Sequence, residues 1–168
     1  NNFQQLEKKI IKSDIIFHLA GENRSNNDRN FFENNVNFSR KISEIIISKK
    51  LKKKIVFSSS TQVLNNKSSI YAKTKLLAEK ELLKCTKKTN SKISIFRIPN
   101  IYGKWSKENY NSVFATFAHN ISRSKKIKIF NSKNKLKLIY IDDLIELFLS
   151  ECKHGKKNKI INIKNYIS

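Results

Sequence analysis

An α/β fold with a doubly wound parallel sheet is predicted by three features of this chain. Short apolar runs rich in Ile, Val and Phe occur at 15–19, 55–57 and 93–98. Each is followed by a longer stretch with helical apolar spacing. The runs are apolar at consecutive positions, as in strands covered by helices on both faces.

Residues 3–12 read as a helix with Phe3, Leu6, Ile10 and Ile11 on one side. Asp14–Gly21 reads as a buried strand ending at a glycine, followed by a polar loop through Asn26, Asn27 and Asp28. Residues 30–50 read as a long helix, with Phe31, Val36, Phe38, Ile42, Ile45 and Ile46 near helical spacing. Ile55-Val56-Phe57 is a second strand that runs into Ser58-Ser59-Ser60, and a loop through residue 69 follows. A helix is predicted over 70–88, with Leu76, Leu77, Leu82 and Leu83 inward. Ile93–Ile98 is a third strand, stopped by Pro99, and residues 100–105 read as a loop. A helix over 110–122 places Tyr110, Val113, Phe114, Phe117 and Ile121 on one face. Short strands are predicted at 127–130 and 136–141. A helix capped by Asp142 or Asp143 follows at 143–152, and a last strand at 159–163.

With 168 residues and 39% hydrophobic content, the chain is long enough for one domain with a real core. The net charge of +22 raises nucleic acid as a partner. Against it, all the 35 basic residues except Arg24, Arg29, Arg40, Arg97 and Arg123 are lysines spread along the chain, whereas base readers lean on Arg forks. The heavy use of Lys, Asn and Ile is what AT-rich codons produce. No nucleic-acid partner is therefore expected, and the charge should attract an anionic small molecule. Cys85 and Cys152 read as free buried thiols in a reducing cytoplasm. Together with three histidines they show no metal-ligand spacing, so no metal is expected. No apolar run approaches the roughly 18 residues that would span a bilayer, and no membrane partner is expected.

Chemistry concentrates at Tyr71-Ala72-Lys73-Thr74-Lys75, eleven residues after Ser60. On a helix Tyr71 and Lys75 lie on one face, one turn apart. An ammonium beside a phenol favours the phenolate and is expected to lower the tyrosine pKa from its usual value of about 10. A serine hydroxyl at the neighbouring strand end completes a general acid/base for a carbonyl or an alcohol. In parallel α/β sheets ligands bind at the carboxyl ends of strands. Gly21, Ser58 to Ser60, and Pro99 with Asn100 all fall at such ends.

Other candidates have plainer readings. His18, inside an apolar strand, reads as a satisfied core histidine; His119 is a weaker candidate for substrate contact, and His154 reads as exposed. Trp105 either stacks on a base or sugar or plugs its loop into the core. Asp142 and Asp143 read as helix caps rather than paired catalytic acids. A hydrolytic Ser60–His–Asp arrangement lacks the nucleophile-elbow glycines beside Ser60.

Five segments, in order, resemble the extended short-chain dehydrogenase/reductase family of nucleotide-sugar epimerases, dehydratases and reductases. They are His18-Leu19-Ala20-Gly21, Ile55 to Ser60, Tyr71 with Lys75, Arg97-Ile98-Pro99-Asn100-Ile101-Tyr102-Gly103, and Tyr140-Ile141-Asp142-Asp143. A narrower likeness, in Ala20 to Arg24, Gly103 to Trp105, Asn109 to Val113 and Ala115 to Phe117, is to the capsular-polysaccharide reductases that act on UDP-4-keto-6-deoxy-N-acetylhexosamines. The resemblance implies a Rossmann-like sheet lacking its first strands and glycine-rich turn, with a small substrate-binding portion mainly over 101–141. Residues 1–168 are then one partial NAD(P)-binding domain, an internal piece of a larger enzyme that is inactive by itself; nothing in it resembles a cupin.

By the same resemblance Tyr71 is the catalytic acid, Lys75 bonds the nicotinamide ribose, and Ser60 polarises the carbonyl, with Ser59 as the fallback. Ala20 and Gly21 let the cofactor approach the backbone, and Ser58, Pro99 and Asn100 line its nicotinamide side. Arg24, Asn100, Tyr102, Asn109 and Asn111 are the candidates for contacting a UDP-sugar. The implied cofactor is NADP or NAD, with NADPH favoured, the setting cytoplasmic, and a homodimer through the two long helices plausible. The chain departs from the family at Leu136-Lys137-Leu138, where many members carry a diphosphate-pairing Arg, and at Ile70, where many carry Pro. A 4-epimerase or 4,6-dehydratase is the alternative activity, and a non-catalytic fragment the alternative class. The dehydratase usually has an acid just after the serine, where Thr61 and Gln62 stand.

Overall fold

The computed structural model describes residues 2–65, 68–129 and 135–163. Chain order is α1 (Asn2–Lys12), β1 (Ile15–His18), α2 (Asp28–Phe31), a π-helical segment (Phe32–Asn37), α3 (Phe38–Ser48), β2 (Lys54–Ser60), α4 (Gln62–Asn65) and α5 (Ile70–Lys88). Then come β3 (Lys92–Ile98), β4 (Asn100–Tyr102), α6 (Val113–Ile121), β5 (Leu138–Tyr140), α7 (Ile141–His154) and β6 (Lys159–Asn162). Strands β1, β2, β3 and β6 form one parallel sheet in that spatial order, and β4 pairs with β5 in a second, also parallel. The doubly wound parallel architecture is thus the one predicted.

The two-residue side-chain period of β2 and β3 separates two cores. Ile55, Phe57, Ile93 and Ile95 point to one face, where they pack with Ile10 of α1, Ile42 and Ile46 of α3, and Ala78 and Leu82 of α5. Val56, Phe96 and Ile98 point to the other face and meet Leu144 and Phe148 of α7 with Ile139 and Ile163. Burying a side chain of this size contributes about 1.5–3 kcal/mol. Serine hydroxyls start two of the helices by accepting from free amides: Ser69 from Ala72 N–H at α5 and Ser112 from Ala115 N–H at α6.

Several elements differ from the sequence expectation. The first strand stops at His18, with Leu19 to Gly21 in a loop, and only His18 of its four residues is buried, because β1 lies at an edge of the sheet. The predicted long helix over 30–50 is interrupted by the π-helical turn. The loop before α5 contains α4, and the loop after Pro99 contains β4, which pairs with β5 in register from Asn100↔Leu138 to Tyr102↔Tyr140. The strand predicted at 127–130 is absent over 127–129, and residue 130 lies outside the described residues. Helix α7 begins at Ile141 after Tyr140, with no side-chain cap; Asp142 and Asp143 sit inside its first turn, where carboxylates favour the helix dipole. The apolar face of α6 carries no buried residue, and Leu77 of α5 is exposed. Cys85 is buried and Cys152 half-buried, both as free thiols.

Gly103, just after β4, has φ of +143°, and a Cβ there would come within 2.5 Å of Ile141 Cγ2 and 2.9 Å of Tyr140 Cε2. Only glycine meets both demands without strain. Gly103→Ala is therefore expected to destabilise the protein by about 1–3 kcal/mol. The urea unfolding midpoint checks this, and an unchanged midpoint would contradict the close β4–α7 junction.

Candidate active site

The carboxyl ends of β1, β2 and β3 open onto one cleft of about 780 Å³. Tyr71, Lys75 and all three serines of Ser58–Ser60 line it, as do Gly21, Arg24, Pro99, Asn100 and Asn111. Residues from five separate segments thus converge on one space. Tyr102 and Asn109 do not line it. The Tyr102 ring packs on Phe114 and Tyr140, and the Asn109 amide donates to Thr116 Oγ1 at 2.9 Å.

The three serines separate by strand alternation and depth. Ser58 Oγ lies 3.5 Å from the His18 and Leu19 carbonyls. Ser59 faces α5 and donates to Glu79 Oε1 at 2.5 Å, so its hydroxyl is committed to a buried carboxylate. Ser60 Oγ accepts from Gln62 N–H at 3.2 Å and lines the cleft together with Tyr71.

Tyr71 and Lys75 lie on one face of α5. The Lys75 ammonium sits 4.6 Å from the centre of the Phe57 ring, deeper than the phenol and toward Glu79. Its long stem permits that reach. The expected lowering of the Tyr71 pKa by Lys75 is not found: burial pushes the phenol above its ordinary value, with the nearby Ser60 hydroxyl partly offsetting it. Tyr71 therefore holds its proton at neutral pH. Burial pushes Lys75 down to about 8, opposed by the Glu79 carboxylate.

Behind the cleft lies a network that the spacing rules passed over. Ser59 and Arg97 are register partners on β2 and β3 and point to the same face. Glu79, one turn beyond Lys75 on α5, receives both: Arg97 donates from Nε at 3.0 Å and from a terminal nitrogen at 2.7 Å. Glu79 is 2% exposed. Its spacing from Tyr71 and Lys75 was the available sign. Asn35, in the π-helical segment, is the second such residue. Its Nδ2 donates to the Glu22 carbonyl at 3.0 Å and Thr74 Oγ1 at 3.1 Å, and its Oδ1 accepts from Glu22 N–H at 2.9 Å. It ties the loop after β1 to α5, and π turns of this kind re-aim side chains near functional sites.

The rim is clasped by contacts between distant loops. Arg24 donates to the Tyr110 carbonyl at 2.8 Å and Asn111 donates to Asn23 Oδ1 at 2.9 Å. Trp105 neither plugs the core nor lines the cleft; it is 95% exposed with φ of +67°. Lys104 pairs with Asp142 at 2.9 Å, and His119 lies 3.4 Å from Glu108. Among the described residues no cluster could hold a metal and no helix is long and apolar enough to cross a membrane.

A parallel sheet with its cleft at the strand carboxyl ends is the arrangement of nucleotide-binding α/β proteins. Residues 1–163 match the NAD dependent epimerase/dehydratase family, and the chain belongs to it. The UDP-2-acetamido-2,6-beta-L-arabino-hexul-4-ose reductase of Pseudomonas aeruginosa is 35% identical over 158 residues, covering 93% of this chain and 41% of that protein. The crystal structure of the capsular polysaccharide assembling protein CapF from Staphylococcus aureus superposes with a TM-score of 0.80 at 32% identity, covering 98% of this chain and 44% of that one. A UDP-N-acetylglucosamine 4-epimerase from Methanobrevibacter ruminantium shares the fold, with a TM-score of 0.87 at 21% identity over 99% of this chain and 61% of that one. The chain thus spans less than half the length of the first two relatives.

The residues present fit the nicotinamide dinucleotide that the family name implies. Gly21 lines the cleft where β1 ends, and a Cβ there would stand 2.6 Å from Asn35 Oδ1 and 3.4 Å from Lys75 Nζ, so only a bare backbone lets these two side chains close in at that point. Uncharged Ser58 of β2, Pro99 just after β3 and Asn100 at the start of β4 also line the cleft.

His18 is buried as the sequence suggested, but only half satisfied. The Ser39 hydroxyl donates to the Asn35 carbonyl at 2.6 Å and so accepts from His18 Nε2 at 2.8 Å. Nδ1 is buried without a partner among the described residues. Burial and the nearby Lys75 charge lower the His18 pKa to about 3. Between about 6.5 and about 3 the unfolded chain binds a proton that the folded chain refuses, so stability falls as pH falls through that window. The expected contribution is up to about 1.4 kcal/mol per pH unit, absent in His18→Gln. Urea unfolding of both proteins from pH 7 to 4 checks it; equal slopes would contradict a neutral buried imidazole.

Proposed function

We propose that this chain forms the catalytic cleft of an NAD(P)H-dependent reductase. Its substrate is a UDP-4-keto-6-deoxy-N-acetylhexosamine, a precursor of capsular or other surface polysaccharide. The observation that carries this reading is the convergence of the Tyr71 phenol, the Ser60 hydroxyl and Lys75, one turn behind Tyr71, on one cleft at the strand carboxyl ends. The substrate class is supported by the Pseudomonas aeruginosa reductase and the CapF structure.

When bound, the dinucleotide supplies the hydride. Tyr71 Oη holds the proton that the sugar oxygen needs. A buried phenol stays protonated at neutral pH, which suits it to donate as charge develops on that oxygen. Ser60 Oγ donates a second hydrogen bond to the same oxygen and fixes the sugar against the phenol. The Lys75 ammonium, beside Gly21, presents its donors to the ribose hydroxyls. Arg24, Asn100 and Asn111 stand at the rim as contacts for the nucleotide-sugar. Tyr102 and Asn109 act at one remove, holding the wall formed by β4 and the loop before α6. Excess lysine draws in the diphosphate electrostatically. A cytoplasmic setting, NADPH in preference to NADH, and pairing of two copies through α3 and α5 belong to the same reading.

In the full-length enzyme Tyr71→Phe is expected to lower turnover by at least about two decades, with little loss of cofactor affinity. Turnover near wild type in that variant would remove the assignment. Loss of absorbance at the reduced-nicotinamide band with keto-sugar distinguishes reduction from 4-epimerisation, which consumes no NADPH on balance.

A further inference from the structure

We propose that Glu79, clamped between Arg97 and Ser59, is a positioning residue that holds the Lys75 ammonium charged and aimed at the cleft. This rests on the reading of Tyr71 and Lys75 as the reactive pair. Three positions four apart, Tyr71, Lys75 and Glu79, share one face of α5. Tyr71 and Lys75 line the cleft, while Glu79 lies beneath them against the sheet.

Glu22 lines the same cleft, but its carboxylate accepts from Arg24 N–H at 3.2 Å and Asn34 Nδ2 at 3.5 Å, which leaves Glu79 as the buried source of negative charge near Lys75. From β1 comes His18, neutral at working pH. From β2 comes the Phe57 ring face, and the π-helical segment contributes the amide of Asn35. On α5 itself stands Tyr71, which keeps its proton. Arg97 on β3 is a second cation, but its guanidinium is spent on both oxygens of Glu79. Glu79 is the carboxylate that opposes the effect of burial on Lys75.

Stability alone does not account for this arrangement. A buried ion pair can often be replaced by apolar residues at no loss, because desolvation offsets the attraction. A carboxylate fixed by three hydrogen bonds, two from Arg97 and one from Ser59, has a defined direction. It favours the charged form of the lysine beside it and leaves that lysine's own donors free for a ligand.

Competitive acetylation of Lys75 across pH, read by mass spectrometry of its peptide in the full-length protein without cofactor, tests the proposal. The wild-type midpoint is expected near 8. In Glu79→Gln it should fall by about one pH unit or more. The alkaline limb of the kcat profile should move down by the same amount. Because Glu79→Gln leaves Arg97 unpaired, the double variant Glu79→Gln/Arg97→Gln, neutral at both positions, is measured beside it and should show a smaller fall in the same direction. An unchanged midpoint in either folded variant would overturn the proposal. So would loss of fold in both, which would make the pair a purely structural one. If Tyr71→Phe stays active while the Lys75 midpoint moves as expected, the catalytic reading fails and the coupling between Glu79 and Lys75 stands.

Discussion

Charge cannot be taken out of water singly, and the site obeys that constraint. Lys75, Glu79 and Arg97 lie between helix α5 and the sheet, and each is placed where another offsets its desolvation. Removing one member of such a group typically costs about 3–5 kcal/mol, because the others are left uncompensated. The requirement ties together three elements. α5 must keep its 71–75–79 face toward the sheet. β2 and β3 must hold the register that sets Ser59 beside Arg97. A slip of one residue in that register would turn Ser59 or Arg97 to the α7 face. The apolar core beneath, from Phe57 to Leu82, keeps water from the network and so strengthens it.

The upper wall of the cleft is governed by close approach. Gly21 has room only for a hydrogen between Asn35 and Lys75, and Asn35 reaches that point from the π-helical turn. The same side chain satisfies both backbone groups of Glu22, so the loop after β1 is fixed without a strand or helix of its own. Gly103 performs a similar service on the opposite wall, where β4 passes close to the start of α7. All three glycines, Gly155 after α7 included, thus sit where neighbouring atoms leave no space for a side chain. The clasp of Arg24 on Tyr110 and Asn111 on Asn23 joins the walls across the rim.

Much of the fold was legible because its cues are local. The helix at 70–88 matches Ile70–Lys88, and the strand at 93–98 lies within Lys92–Ile98, because each has a long, clean apolar pattern and a stop at Thr89 or Pro99. The failures were at short elements. β4 was read as loop, since three residues carry too little pattern and their partner is 38 residues away in β5. The run at 127–129 has strand-like alternation but no neighbour to pair with among the described residues. Edge position, which exposes Phe17 of β1, is likewise invisible until strand order is known.

What the sequence determined by itself was the set of chemical groups and their spacing along each element. Tyr71 and Lys75 share a helix face because 3.6 residues make a turn, and the three serines end a strand because Ile55 to Phe57 bury. What tertiary structure alone decided was which atom meets which. Packing sent Ser59 to Glu79 and left Ser60 in the cleft with Tyr71, set the Lys75 ammonium over the Phe57 ring, and took Tyr102 out of the cleft into an aromatic cluster. The physical reason is that proton affinity depends on burial and on charges brought near from distant parts of the chain. Spacing within one helix cannot report either.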